Sequence, residues 1–298
     1  MVFSSQAINE RRLIGPALLL LTLAFARPLY ELLLISLHSS LYSHIVLIPF
    51  VSSYLIWLKR SQFAAGIPSR HPLALVFAVT GVGLLVAFWT SGLTGWTIGD
   101  RGGLVLLTLA FLCLLWATCA FLLTRTTLRA IVFPLGFLVF ITPMPLCVEH
   151  GLETLLQHAS AEAAFLMFNL VGTPLQRSGL VFQLPDITLE VAPECSGIHS
   201  SVVLFITAVL AGHLFFQKLW TKSALALFVI PLGILRNGFR VFTLGELCVY
   251  VDPGIIDSPL HHHGGPVFFV MSLVPLFLLI WWLRKADRPT PITNGHAA

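Results

Sequence analysis

Three kinds of side chain that together could carry out acyl transfer lie in the C-terminal half of the chain. Cys195 follows Pro193 and Glu194 where a loop is predicted to become an apolar helix. Free backbone N–H groups and the helix dipole favour the thiolate there, which is the nucleophilic form of cysteine. Arg240 keeps its charge and offers donors in one plane, which suits an oxyanion, and His261 could move the proton. This set indicates a cysteine acyl-enzyme.

The consecutive His261, His262 and His263 could instead bind a metal ion. Cys195 and His199, at i and i+4, could add two further ligands. However, three adjacent residues of a regular element cannot all face one ion, and no Cys-x-x-Cys or acid-x-x-His spacing accompanies them. We therefore expect one histidine that acts as a general acid or base, and no metal ion or cofactor.

Charged residues inside predicted membrane segments are functional candidates by default. Arg27 and Glu31 are four residues apart and can pair on one helix face, so we favour a structural role for them. Arg236 and Arg240 lie one turn apart, where two like charges repel unless an anion or a carboxylate is near. The candidate supporting residues of the site are His262, Arg236, Asn237, Glu194 and Ser196.

The elements that position these residues are predicted to lie in a membrane. Of the 298 residues, 57% are hydrophobic and only 10% are charged, and the mean hydropathy is +0.90. A soluble domain carries about 25% charged residues, so lipid must replace water as the main solvent. This excludes a disordered chain and a disulfide-stapled secreted scaffold. The net charge of +4 is small, and we expect no nucleic-acid partner.

Eight apolar segments are long enough, or nearly so, to cross the hydrocarbon layer. They are 13–38, 42–58, 72–94, 103–124, 129–143, 197–217, 223–249 and 266–283. The first is interrupted by Arg27, Pro28 and Glu31, and the fifth is short, so seven or nine spans remain alternatives. Basic residues flank the N-terminus and follow every even-numbered segment, which predicts that both termini are cytoplasmic.

The sequence thus predicts an all-α integral membrane protein with about eight transmembrane helices. The outer loop, at about 144–196, is expected to hold an interfacial helix and then a short β-hairpin around Pro185 and Asp186. Residues 1–288 are predicted to form a single membrane domain, followed by a short flexible cytoplasmic tail at 289–298. The first segment shows no signal-peptidase pattern and is expected to stay as an anchor.

This topology brings the chemical groups to one side of the membrane. Cys195 opens the sixth segment, Arg240 lies in the outer part of the seventh, and His261 precedes the eighth. The basic residues that determine the orientation do not include these three. We therefore expect thiol, guanidinium and imidazole to share one outward-facing cleft.

Three short sequences carry a family resemblance: APECSGIHSS at 192–201, RNGFRV at 236–241 and LHHHGGPVFF at 260–269. They resemble, in the same order, the Cys, N-x-x-R and H-x-x-x-G boxes of the exosortase/archaeosortase family. The resemblance gives Cys195 the position of the nucleophile, Arg240 that of the motif arginine, and His261 that of the histidine four residues before Gly265. His262 is the alternative histidine if the register shifts by one.

The resemblance implies a polytopic cysteine transpeptidase or protease in the bacterial inner membrane. Such enzymes are thought to recognise C-terminal tails of exported proteins, made of a Pro-Glu-Pro-like (PEP-CTERM-like) motif, a transmembrane helix and a basic cluster. They are proposed to cut near the motif and to pass the acyl group to an acceptor, often in connection with exopolysaccharide production. Hydrolysis and transpeptidation both remain open.

Two other classes compete with this interpretation. A transporter or channel-like protein would use the intramembrane charges to line a path: Arg27, Glu31, Arg236, Arg240 and Glu246. A metal-dependent membrane hydrolase would use the histidine cluster and would bind zinc stoichiometrically.

Overall fold

The structure is a computed structural model of the chain, and it describes residues 2–63, 71–92, 101–185, 187–192, 196–257 and 265–286. Side chains are described within these ranges except at 2–12 and 256–257. The chain is mostly helical, which confirms the predicted fold class. It divides into two compact units, residues 1–149 and residues 150–298.

Ten α-helices lie within the described ranges. They are α1 (Val2–Ala24), α2 (Ala26–His38), α3 (Leu47–Leu58), α4 (Leu73–Thr90), α5 (Arg101–Leu122), α6 (Arg125–Phe137), α7 (Leu146–Val171), α8 (Ile198–Phe215), α9 (Leu219–Tyr250) and α10 (Gly265–Ala286). Short 3₁₀ segments occur at Ser43–Val46, Arg60–Gln62, Leu138–Ile141 and Pro253–Asp257.

The apolar helices agree with the predicted membrane segments. Among the described residues, α4, α5, α8, α9 and α10 are each long and apolar enough to cross a bilayer, and the number rises to seven if two bent helix pairs each count as one span. One of these pairs is Leu13–Ala24 with α2, and the other is Arg125–Ile141 with α7. The shorter apolar helix Ser43–Leu58 matches the remaining predicted segment. All eight segments therefore coincide with helical chain, as predicted.

The first unit packs small and branched side chains between its helices. Ala74, Cys119, Ala120, Leu128 and Ile131 form a buried cluster that joins α4, α5 and α6. Gly81 of α4 leaves so little room that a Cβ there would lie 2.9 Å from Leu114 Cγ on α5. Helices that approach this closely gain dispersion contacts, which drive helix association in lipid.

A polar cluster joins the ends of three elements in the first unit. Tyr42 precedes the 3₁₀ segment Ser43–Val46, and its hydroxyl donates to Glu149 Oε2 at 2.6 Å. Arg101, the first residue of α5, donates to both oxygens of Glu149 at 2.9 and 2.7 Å. The carboxylate is thus held by a cation and a neutral phenol.

In the second unit, α8, α9 and α10 surround one apolar cluster. Its buried members are Leu204, Ala208, Phe216, Leu225, Val229, Leu232, Leu276, Ile280 and Leu283. The α8 and α9 helices run in opposite directions: the residue before α8 meets the middle of α9, whereas Gly212 near the end of α8 lies against Lys222 near the start of α9. Lys218 Nζ donates to the carbonyl of Ala286, so the start of α9 meets the end of α10.

The second unit also contains a three-stranded antiparallel sheet of β1 (Gln176–Ser178), β2 (Val181–Leu184) and β3 (Ile187–Glu190), in that order. The β2–β3 pair is the hairpin predicted around Pro185, and β1 is a strand that the sequence analysis did not predict. Phe182, Leu184 and Leu189 of the sheet pack against Ala161, Ala164 and Phe168 of α7 in a buried cluster. The helix predicted in the first half of this loop is observed as α7, and its interfacial position stays a prediction.

Candidate functional site

A left-handed turn joins the sheet to α8 and follows the candidate nucleophile in the sequence. Gly197, two residues after Cys195, has φ of +73°, a conformation that residues with a Cβ adopt only with strain. Its carbonyl accepts hydrogen bonds from Ser201 N at 3.0 Å and from Ser200 Oγ at 3.1 Å. Ser196 is only 1% exposed. This turn therefore determines how the chain enters the helix.

Arg236 and Asn237 on α9 close around the same glycine. Arg236 Nη2 donates to the Gly197 carbonyl at 3.3 Å and lies 3.5 Å from Ser201 Oγ. A Cβ on Gly197 would lie 2.9 Å from both Cγ and Oδ1 of Asn237 and 3.1 Å from Arg236 Nη2. Arg236 is 8% exposed and Asn237 is 2% exposed. The turn before α8 and this stretch of α9 therefore form one packed unit.

Glycines on α9 allow neighbouring elements to approach closely. A Cβ at Gly233 would lie 2.8 Å from Ser201 Oγ on α8. At Gly238 it would lie 2.6 Å from Ala163 Cβ and 3.1 Å from the Ala164 nitrogen, both on α7. At Gly245 it would lie 2.5 Å from Phe168 Cζ. The stretch of α9 that carries Arg236, Asn237 and Arg240 is thus wedged between α8 and α7.

Arg240 lies one helical turn beyond Arg236 and is half-buried. With a rise of 1.5 Å per residue, Arg236 is about 26 Å and Arg240 about 32 Å along the axis from Leu219. The hydrocarbon layer is about 30 Å thick, so the distance from the start of α9 to these two arginines is about the thickness of that layer. Further along α9, Glu246 accepts a hydrogen bond from Thr173 Oγ1.

The start of α10 lies at the same end of the second unit. The ring of Phe268, in the first turn of α10, makes an edge-to-face contact with Phe239 of α9, and their centroids are 6.2 Å apart. Phe239 is the neighbour of Arg240 in the sequence. The described parts of the three predicted motifs therefore meet, because the Gly197 turn contacts Arg236 and Asn237 while α10 begins beside Phe239.

The segment that leads from β3 toward the turn is also anchored. The side-chain amide of Gln157 on α7 donates to the carbonyl of Val191, and Val191 N donates to the Leu180 carbonyl at 3.0 Å. Val191 is 1% exposed and Gln157 is 8% exposed. A buried amide without a partner would destabilise the fold, so this contact fixes the exit of the sheet.

Four of the predicted site residues lie outside the described residues: Cys195, Glu194, His261 and His262. Of the others, Ser196, Arg236 and Asn237 come together at the Gly197 turn, and Arg240 follows one turn later. No group of three His, Cys, Asp or Glu residues that could hold a metal ion occurs within the described ranges. The histidine cluster and the tail at 289–298, which is predicted to be cytoplasmic, fall outside them.

Comparison with known families agrees with the motif order and the helical architecture. The model of the transmembrane exosortase family matches residues 36–278. This chain belongs to that family. The matched range begins near the end of α2, includes all three motifs and ends within α10. Neither curated proteins nor solved structures give a significant match. The exosortase family and the apolar helices together establish an integral membrane protein.

The structure adds residues around the exosortase motifs that the sequence analysis did not select. They are Gly197, Ser201, Gly233, Gly238 and Gln157. Gly233 and Gly238 had a signal in the sequence, since small residues in an apolar helix indicate close packing against another helix. Gln157 and Ser201 had no such signal, because their roles depend on partners 34 and 35 residues away.

Proposed function

We propose that this exosortase-family protein is a membrane-embedded cysteine endopeptidase or transpeptidase that cleaves C-terminal sorting tails of exported proteins. The observation that carries the proposal is that one family match covers all three motifs. The contacts of Gly197 with Arg236 and of Phe239 with Phe268 support it, because they bring the chain around each motif to one end of the second unit. The family itself is consistent with such an activity.

In the proposed reaction, the Cys195 thiolate attacks the carbonyl carbon of the scissile peptide bond. The new C–S bond forms as the carbonyl electrons move to oxygen, and Arg240 stabilises the oxyanion. His261, or His262 in the shifted register, donates a proton to the leaving amine as the C–N bond breaks. Water or an acceptor amine then attacks the thioester, gives up a proton to the same histidine and releases the thiolate as the C–S bond breaks. The first nucleophile gives hydrolysis and the second gives transpeptidation.

A tail with a transmembrane helix suits a site of this kind. Such a tail could enter from lipid, so that a motif before the helix would reach the depth of Cys195 at the beginning of α8. A basic cluster at the end of the tail would stay in the cytoplasm by the same rule that orients the enzyme. Holding the scissile bond beside the nucleophile would supply much of the catalysis. The link to PEP-CTERM-like motifs and exopolysaccharide production rests on the family resemblance.

The proposed setting is the bacterial inner membrane, with both termini in the cytoplasm and the active site on the periplasmic face. The distribution of basic residues supports this orientation: Lys218 and Lys222 lie at the start of α9, whereas Arg236 and Arg240 lie at least about 26 Å further along it. Residues 1–288 would act together as one membrane domain in this proposal.

The transport alternative receives less support from the polar contacts. Arg27 Nε lies 3.3 Å from Glu31 Oε1 on the same helix. Glu246 accepts a hydrogen bond from Thr173, which follows α7. Internal partners of this kind explain why these charges occur without requiring a conducting path.

The decisive experiment compares Cys195→Ala with Cys147→Ala in a strain that expresses a protein with a sorting tail. Cys147 is an exposed free cysteine in the first unit, so its loss is the matched control. We expect Cys195→Ala to accumulate uncleaved substrate while still inserting in the membrane, and Cys147→Ala to process normally. Mass spectrometry of the trapped enzyme should find the substrate peptide attached to Cys195. Normal processing by Cys195→Ala would contradict the proposal.

A further inference from the structure

Arg236 is a buried cation with an unused donor. It is 92% buried, and the atom Nη1 has no hydrogen-bond partner among the described residues. The other terminal nitrogen, Nη2, contacts the Gly197 carbonyl and Ser201 Oγ, both of which are uncharged. No ion pair of Arg236 occurs within the described part of the chain. These contacts hold the guanidinium in place but leave its charge without a described counterion.

A buried charge of this kind is costly unless an anion is nearby. The hydrogen bond to Gly197 fixes where such an anion must be, because it ties the guanidinium to the turn that follows Cys195. Consecutive Cα atoms are about 3.8 Å apart, so covalent geometry keeps the Cα of Cys195 within about 7.6 Å of that of Gly197. A thiolate at position 195 would supply the missing negative charge.

We propose that Arg236 is the cation that holds the Cys195 thiol in its thiolate form, a role distinct from that of Arg240 at the oxyanion. The inference rests on the proposed function of Cys195 as the nucleophile. Arg236 is then a positioning residue: Nη2 holds the Gly197 turn, and the positive charge of the guanidinium would favour the thiolate two residues before that turn. The same side chain thus couples the backbone before α8 to the charge of the nucleophile.

Other ionisable groups on the elements that pack around the Gly197 turn, or close to it in the sequence, would act on the charge of the same thiol if they lie near it. They are Glu190 on β3, His199 on α8, Arg240 on α9, and Glu194 and His261–His263 outside the described residues. On α7, Glu153 pairs with His150, and Glu162 pairs with Arg177. The acidic neighbours oppose thiolate formation, and a protonated histidine or Arg240 would favour it. Arg236 differs from them because its described contact to the turn is direct.

The test measures how the alkylation rate of Cys195 depends on pH. The full-length protein in nanodiscs is treated with iodoacetamide, an uncharged reagent that the thiolate attacks to form a C–S bond as iodide leaves. Peptide mass spectrometry then reads Cys195 and Cys147 separately. Cys147 is exposed and serves as an internal reference in every sample. In the unaltered protein, we expect the apparent pKa of Cys195 to lie below that of Cys147. An apparent pKa at or above that of Cys147 would overturn the inference without any variant.

Three variants separate charge from folding. Arg236→Gln should raise the apparent pKa of Cys195 by a little over two pH units, as expected for loss of a charge about 5 Å away at an effective dielectric constant of about 20. Arg236→Lys keeps the charge and should recover part of that shift. Arg177→Gln removes an arginine of the same unit that pairs with Glu162 and should leave the profile unchanged.

The outcomes distinguish this inference from the proposed function. If Arg236→Gln leaves the alkylation profile of Cys195 unchanged, or if Arg177→Gln shifts it equally, Arg236 does not hold the thiolate, even if Cys195→Ala still abolishes processing. If Cys195→Ala processes substrate normally, the proposed function fails, whatever the alkylation profile shows.

Discussion

The Gly197 turn allows a sharp test of how the site is packed, through the substitution Gly197→Ala. The alanine would have to adopt a φ of +73°, which costs about 1–2 kcal/mol for a residue with a Cβ. Its Cβ would also lie 2.9 Å from Asn237 Cγ. Asn237 is 2% exposed and has little room to move, so the overpacking should cost about 1–3 kcal/mol more. We therefore expect a total loss of about 2–5 kcal/mol.

Gly179→Ala is the matched control for this substitution. Gly179 lies between β1 and β2 in the same unit, has φ of +63°, and has nothing within 4 Å of a built Cβ. The Gly179→Ala variant should therefore lose only the stability that the left-handed backbone conformation costs an alanine, about 1–2 kcal/mol. The difference between the two variants isolates the contact between Gly197 and Asn237.

Stability would be measured by denaturation with sodium dodecyl sulfate in mixed micelles, followed by circular dichroism. Processing of a tailed substrate would be measured on the same variants. We expect Gly197→Ala to lose more processing than Gly179→Ala, because relief of the clash displaces Asn237 and Arg236. Equal losses of stability in the two variants would refute the reasoning, since the crowding around Gly197 would then have no energetic consequence.

Two further predictions concern other packed contacts. Gly238→Ala should destabilise the protein by about 1–3 kcal/mol, before the gain in helix propensity is counted, because the new Cβ would clash with backbone atoms of α7. The control is Gly151→Ala, whose Cβ would have no atom within 4 Å. It should be neutral or stabilising in the same denaturation assay. Tyr42→Phe should destabilise the protein by about 1–3 kcal/mol, because it removes the hydroxyl that donates to the Glu149 carboxylate. The same denaturation assay measures the loss, and equal stability of Tyr42→Phe and the unaltered protein would contradict this assignment.

The architecture could be predicted from the sequence because its signals are local. A run of apolar residues whose helical length matches the thickness of the hydrocarbon layer is stable in lipid only as a helix. The eight segments can therefore be predicted without knowledge of any tertiary contact. The β2–β3 hairpin had its own turn signal at Pro185. In contrast, β1 (Gln176–Ser178) has only three residues and little alternation, and it forms because β2 offers it partners.

The sequence, with the family resemblance, assigned Arg240 to the oxyanion but identified Arg236 only as a supporting residue of the site. Arg236 and Arg240 lie on the same apolar helix, and their spacing alone does not distinguish their roles. The contact of Arg236 with the Gly197 carbonyl separates them, and it depends on α8 and α9 packing with opposite directions. The role of Gln157 is likewise hidden in the sequence, because its partner Val191 is distant in the chain.

The sequence by itself determined that this is a polytopic helical membrane protein and which scarce polar residues could do chemistry. That was possible because lipid penalises charge so strongly that each remaining polar group carries information. Only the tertiary structure decided that the glycine after the nucleophile box adopts a left-handed turn and that Arg236 and Asn237 enclose it. The reason is that such a turn depends on side chains 39 residues further along, which reach it only when the helices pack.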